Sequence, residues 1–170
     1  MPNSLSRTDR EIEAIYNRHI NAIYRLCFTY MKNAADTEDA VQDAFIKMMT
    51  HKGIFENQNH ERAWLIVAAA NVCKDKLKHR SRKHADIADY EYLAASGGFE
   101  PDETICEVIK LPEKYKCVIF MYYYEGYNSR EIASALRKPP STVRNLLHEA
   151  RELLRTQINC GKIGVDFDAE

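Results

Sequence analysis

Ser141, Thr142, Arg144, Asn145, His148 and Arg151 fall away from the apolar series Val143, Leu146, Leu147, Ala150, Leu153 and Leu154 when residues 140 to 155 are wound at 3.6 per turn. Arginine and asparagine can pair with base edges and phosphates, so the chemistry this face offers is recognition of a polyanion. Just before it, Ile132, Ala133 and Leu136 lie at helical spacing behind Asn128 and Glu131, a pair with the form of a capping box. Two short amphipathic helices around a tight turn give the outline of a DNA-reading helix-turn-helix. Pro140 suits the first turn of the second helix, where its missing N–H has no partner to lose. An ordinary solvated helix also turns polar residues outward, and the pattern alone does not separate the two.

Two further constellations lie upstream. Asp39, Gln42 and Asp43 share one face of a segment whose other face carries Ala40, Val41, Ala44, Phe45 and Met48. By itself this is a polar face fit for solvent or for a partner. Asn71, Lys74 and Lys78, with Asp75 beside them, extend a largely apolar helix with a basic edge. Nucleophilic catalysis finds no support: Cys73 and His79 are six apart on a helix, face different sides and have no third orienting group. The five cysteines are scattered, with no C-x-x-C pair and no ligand-spaced histidines, so neither a metal site nor a cofactor is expected. They read instead as small apolar residues in a reducing compartment.

The elements that must position these residues are all helical. Asp9 to Met31 forms the first, with Ile12, Ile15, Tyr16, His19, Ile23, Leu26, Cys27 and Tyr30 inward, and Asn33 marks its end. A second begins near Asp36, its acids placed where the helix dipole favours negative charge. A polar loop from Lys52 to about Asn59 leads to a third, Glu61 to about Arg80, in which Trp64 reads as core. Residues 81–101 lose the periodicity, gain Ser96, Gly97 and Gly98, and read as a flexible linker. Beyond it a short helix to Ile109, a helix after Pro112 reaching about Tyr124, and the helix-turn-helix complete a second unit, 102–159, before a frayed tail. The tyrosines 122, 123, 124 and 127 read as packing around Gly126 rather than as base-stacking platforms. The expected fold is all-α: two small helical domains, 8–80 and 102–159, joined by the linker.

Composition agrees with a soluble globular chain: 170 residues, 45% hydrophobic and 29% charged. No stretch approaches the roughly 20 apolar residues of a membrane span, and the N-terminus lacks a signal peptide's apolar core, so the cytoplasm is expected. A net charge of -1 conceals segregation. Residues 74–83 are densely basic, while 36–43 and 86–103 are acidic, which suggests separate patches for separate partners.

Taken together, DTEDAVQDAFIKMM, RAWLIVAAANVCKDKLKHRSRK, LPEKYKCVIFMYYYEGYNSREIASAL and STVRNLLHEAR, in this order and spacing, resemble the bacterial RNA polymerase sigma factors of the extracytoplasmic-function group. The resemblance covers nearly the whole chain. It implies a non-enzymatic protein that brings core RNA polymerase to promoters and helps open the duplex, with no small-molecule substrate. Asp39, Gln42 and Asp43 would then grip the β′ clamp helices, and the β flap would be a further polymerase contact. Asn71, Lys74 and Lys78 would read the downstream promoter element, with Lys76, Arg80, Arg82 and Lys83 on phosphates. The loop 52–62 would capture a flipped base, with Phe55 and Asn57 as walls. Arg144 and Asn145 would read the upstream element, supported by Ser141, Thr142, His148 and Arg151. An anti-sigma factor would be a further partner.

Three positions depart from the family pattern. Ala70 stands where an arginine is usual, Glu149 where a base is common, and Arg137 where glycine normally takes a left-handed turn. The alternative reading is a stand-alone helix-turn-helix regulator that needs no polymerase. Dependence on polymerase separates the two.

Overall fold

The computed structural model describes residues 7–81 and 101–161. The segments expected to form the linker and the frayed tail, including Arg82, Lys83 and most of the acidic stretch 86–103, lie outside the described residues. The chain divides into two compact units, one built from α1 (Asp9–Met31), α2 (Ala34–Thr50) and α3 (Gln58–Ser81). The other comprises α4 (Glu103–Lys110), α5 (Glu113–Ile119) with a π-helical turn Phe120–Tyr124, α6 (Ser129–Leu136) and α7 (Pro140–Gly161). No strand occurs among the described residues.

In the first unit, local chemistry sets the helix ends. Thr8 and Glu11 form a reciprocal capping box at the start of α1, and the hydrogen bond from the Thr8 backbone N–H lowers the Glu11 carboxyl below its ordinary range. Lys32 ends the helix in a left-handed conformation, φ 66°. Asn33 then caps α2, its side chain accepting from the Asp36 N–H at 2.9 Å, so α2 starts two residues before the expected Asp36. Arg7 closes the far end: its guanidinium donates to the carbonyls of Met48, His51 and Gly53 at 2.6–3.1 Å, where a helix C-terminus favours positive charge.

The three helices bury Ile23, Leu26, Cys27, Ala40, Ala44, Met48, Leu65, Ile66 and Ala69 between them. Tyr16 departs from expectation. It is 43% exposed and lies against the Phe45 ring at 4.8 Å, so it flanks the core rather than entering it. His19, by contrast, is fully buried and sits 2.6 Å from the Glu61 carboxylate, which also takes Arg18. Because a carboxylate only accepts, Nε2 must carry the proton in the neutral ring, and Nδ1 has no partner. Burial lowers the His19 pKa against the pull of Glu61.

In the second unit, Asp102 caps α4 and Asn128 caps α6, the latter as the expected capping box with Glu131. α6 ends with Arg137 at φ 54°, ψ 44°, and the Arg137 and Lys138 N–H groups return to the carbonyls of Ser134 and Ala133. This is a Schellman closure with arginine in the place glycine usually fills. Gly126, at φ 72°, takes the other left-handed position. α7 begins at Pro140 and packs Val143, Leu147, Ala150 and Leu154 against α5 and α6, while Leu153, expected inside, is 38% exposed.

Candidate nucleic-acid interface

The outward side of α7 carries a compact polar row. Ser141, Arg144, Asn145 and His148 are exposed and Thr142 is half-exposed. These side chains stand on the first turns of α7, just after the Schellman turn. Arg151, expected in the same row, has another occupation. Its Nε donates to the Tyr123 hydroxyl at 2.9 Å and its guanidinium lies 5.1 Å from the centre of the Tyr122 ring. The tyrosines thus pack as expected, but they take Arg151 with them. Glu149, which breaks the basic pattern, accepts from the Tyr115 hydroxyl at 2.7 Å, with Lys114 at 3.9 Å. Its carboxylate is directed toward α5, so the negative charge is partly compensated within the protein.

On α3, Asn71 and Lys78 are exposed and Lys74 half-exposed, one row along the outer face. Ala70 is buried at 1% exposure, so the position occupied by arginine in the resemblance is part of the core here. Cys73 is also buried, against Cys27, whose thiol is pushed well up by its hydrogen bond to Cys73 and by burial. His79 is exposed, so Cys73 and His79 are not brought together. Among the described residues no group of histidine, cysteine or acidic side chains has the arrangement of a metal site.

Lys76 and Arg80 do not join the Asn71 row. Positions two apart on a helix face different ways, and these two turn onto α2. The Lys76 ammonium lies 2.6 Å from Asp39 and 2.8 Å from Asp43, and Arg80 pairs with Asp36. Hydrogen bonds to the two acids raise the Lys76 pKa. Burial pushes the Asp36 carboxyl up, but Asn33, Arg80 and Lys76 outweigh it and hold the carboxyl below its ordinary value. The basic end of α3 and the acidic start of α2 therefore meet, which corrects the expectation of separate patches. The spacing of Asp36, Asp39 and Asp43 against Lys76 and Arg80 was the available signal. On α2, Asp39 and Gln42 are exposed and Asp43 partly so, with exposed Ile46 and Met49 continuing the face.

The loop after α2 holds an aromatic cluster that was not anticipated from the sequence. Trp64, expected in the core, is half-buried; the His51 ring is 4.4 Å from it and the Phe55 ring 5.7 Å. His60 meets Phe55 edge-on, and Arg7 lies over its face at 4.7 Å. Asn57 caps α3, its side chain accepting from the His60 N–H at 2.8 Å, so it is engaged in the helix start rather than free as a wall. Beside Phe55, an open hollow of about 420 Å³ is lined by Arg7, Glu11, Arg18 and Glu61 among others. The density of aromatic and histidine residues between His51 and Trp64 is the sequence signal for this cluster.

Residues 15–83 match the family model Sigma-70 region 2 and residues 104–154 match Sigma-70, region 4. The chain belongs to the extracytoplasmic-function sigma factors. It is 28% identical over 154 residues to the ECF RNA polymerase sigma factor SigW of Bacillus subtilis (strain 168), covering 80% of this chain and 82% of SigW. RNA polymerase sigma factor SigV of the same organism is 29% identical over 145 residues, covering 82% and 86%. SigL of Mycobacterium tuberculosis is 25% identical over 154 residues, covering 85% and 86%. The fold is also that of a chain in the co-crystal structure of the sigma factor RpoE with the anti-sigma factor NepR from Bartonella quintana. That match has a TM-score of 0.66 and 15% identity, over 88% of this chain and 98% of that one. A sigma factor directs core RNA polymerase to promoters.

Proposed function

We propose that the first unit, 8–80, docks on core polymerase and reads the downstream promoter element, and that the second, 102–159, reads the upstream element. The exposed acidic and amide face of α2 carries this assignment: Asp39, Gln42 and Asp43 suit a cationic partner surface such as the β′ clamp helices and would repel DNA. Asn71, with both a donor and an acceptor, suits an exposed base edge in the melted strand, and Lys74 and Lys78 suit its phosphates. Arg144 and Asn145 suit base edges in the major groove, with Ser141, Thr142 and His148 beside them. Arg151 supports that face through its hold on Tyr122 and Tyr123. Contact of the second unit with the β flap, and restraint of the free protein by an anti-sigma factor in the cytoplasm, complete the reading. No small-molecule substrate enters it, and no residue of the chain is assigned a catalytic role.

A pull-down with core polymerase tests the docking assignment. Asp39→Arg combined with Gln42→Ala should bind core more weakly while keeping the helical circular dichroism of the wild type. Wild-type affinity in that variant would overturn it.

A further inference from the structure

The docking acids of α2 are already occupied inside the protein. Lys76 reaches across from α3 and bonds Asp39 and Asp43 at once, at 2.6 and 2.8 Å. Those two acids are four apart on one helix face, where like charges repel, and a shared ammonium relieves that repulsion. The Lys76 side chain is 29% exposed, whereas Asp39 and Asp43 are 64% and 45% exposed. The carboxylates therefore stay accessible from outside while one cation holds them from within.

We propose that Lys76 is an internal competitor for the polymerase-docking surface, and that core polymerase must displace its ammonium from Asp39 and Asp43 to bind. This rests on the docking assignment above and deepens it. Any partner cation arriving at these acids exchanges one ion pair for another, so its gain is the difference between two pairs. A stray basic surface, offering one solvated lysine, gains almost nothing by the exchange. A partner with several fixed cations, or with apolar groups for the exposed Ile46 and Met49 beside the acids, gains enough to bind. Lys76 thereby sets selectivity for the correct partner at some loss of affinity. It is a specificity-determining residue that lies on a different helix from the surface it guards. Arg80 on Asp36 repeats the arrangement one turn further along.

The test is a double-mutant cycle in the full-length protein, measured as the dissociation constant for core polymerase. Lys76→Met keeps the aliphatic stem and removes the charge; it should tighten core binding by about two- to tenfold at low salt, the range set by two exposed ion pairs. Lys76→Arg keeps the competing charge and should bind no more tightly than wild type. Asp39→Asn should weaken binding in both backgrounds, and by a larger factor when Lys76 is methionine, because only then is the acid free to give its full interaction to the partner. The cycle cancels a general loss of stability common to the Lys76 variants. If Asp39→Asn weakens binding equally in both backgrounds, or Lys76→Met binds no more tightly than wild type, the competition is overturned while the docking assignment stands. If Asp39→Asn has no effect in either background, the docking assignment itself falls.

Discussion

Arg137 closes the turn of the helix-turn-helix at φ 54°, ψ 44°, a left-handed conformation for a residue with a Cβ. Holding an L-residue there costs about 1–2 kcal/mol relative to the right-handed region. Glycine at this position would be free of that cost but would lose more conformational freedom on folding, about 0.5–1 kcal/mol. The Arg137 side chain is exposed, so its removal sacrifices little. Arg137→Gly should therefore stabilise the second unit by about 0.5–1 kcal/mol, or roughly 2–8 °C in the midpoint of a domain this small. Arg137→Ala keeps the Cβ and should stay near wild type, which isolates the backbone contribution from that of the side chain. Thermal unfolding followed by circular dichroism at 222 nm, with tryptophan fluorescence in parallel, checks it. The single tryptophan, Trp64, lies in the first unit, so its transition should not move while the other one rises. Equal midpoints for the glycine and alanine variants would refute the reasoning, and with it the view that this turn carries strain.

Other outcomes follow from the same geometry. Arg144→Ala should cost about 1–3 kcal/mol of discrimination between upstream sequences if the guanidinium pairs with a base, measured by fluorescence anisotropy on matched and mismatched duplexes; a uniform loss on every sequence would make Arg144 a phosphate contact. His19 is held neutral, its folded pKa lying below the ordinary value of 6.5. Between the two values the unfolded chain binds the extra proton, so stability is fully present above about pH 6.5 and is lost as pH falls through the folded pKa. His19→Gln should flatten that acid-side decline in the Trp64-monitored transition, and an unchanged pH profile would assign the decline to other groups. Phe55→Ala should remove the shared neighbour of His51, His60, Trp64 and Arg7, shift the Trp64 emission to longer wavelength and slow promoter opening more than core binding; an unshifted spectrum would argue against the ring cluster.

The features legible in the sequence were those set by residues three or four apart. Asn128 with Glu131 announces its own capping box, and the Asp9–Met31 helix follows from its apolar period. The polar row Ser141, Thr142, Arg144, Asn145 and His148 follows in the same way. What escaped depends on contacts between elements distant along the chain. Trp64 precedes an apolar run and reads as core; only the loop that folds back with His51 and Phe55 gives it a place at the surface. Arg151 shares the recognition face by periodicity but is drawn to Tyr122 and Tyr123, 28 residues away from the latter. Lys76 and Arg80 belong to a basic cluster by composition, yet helical winding points them at α2 and its acids. Arg7 belongs to no apolar period, yet it caps the C-terminal end of a helix more than 40 residues on. Charge runs, in particular, mark which residues are charged but not which charges will meet.

Run-off transcription with purified core polymerase on a library of promoter fragments, with and without this protein, decides whether the chain acts as a sigma factor. Discrete start sites on a subset of fragments should arise only when core and protein are both present, and Asp39→Arg with Gln42→Ala should abolish them. Sequence-specific binding to the same fragments without polymerase, together with no transcript gained on adding core, would contradict the account.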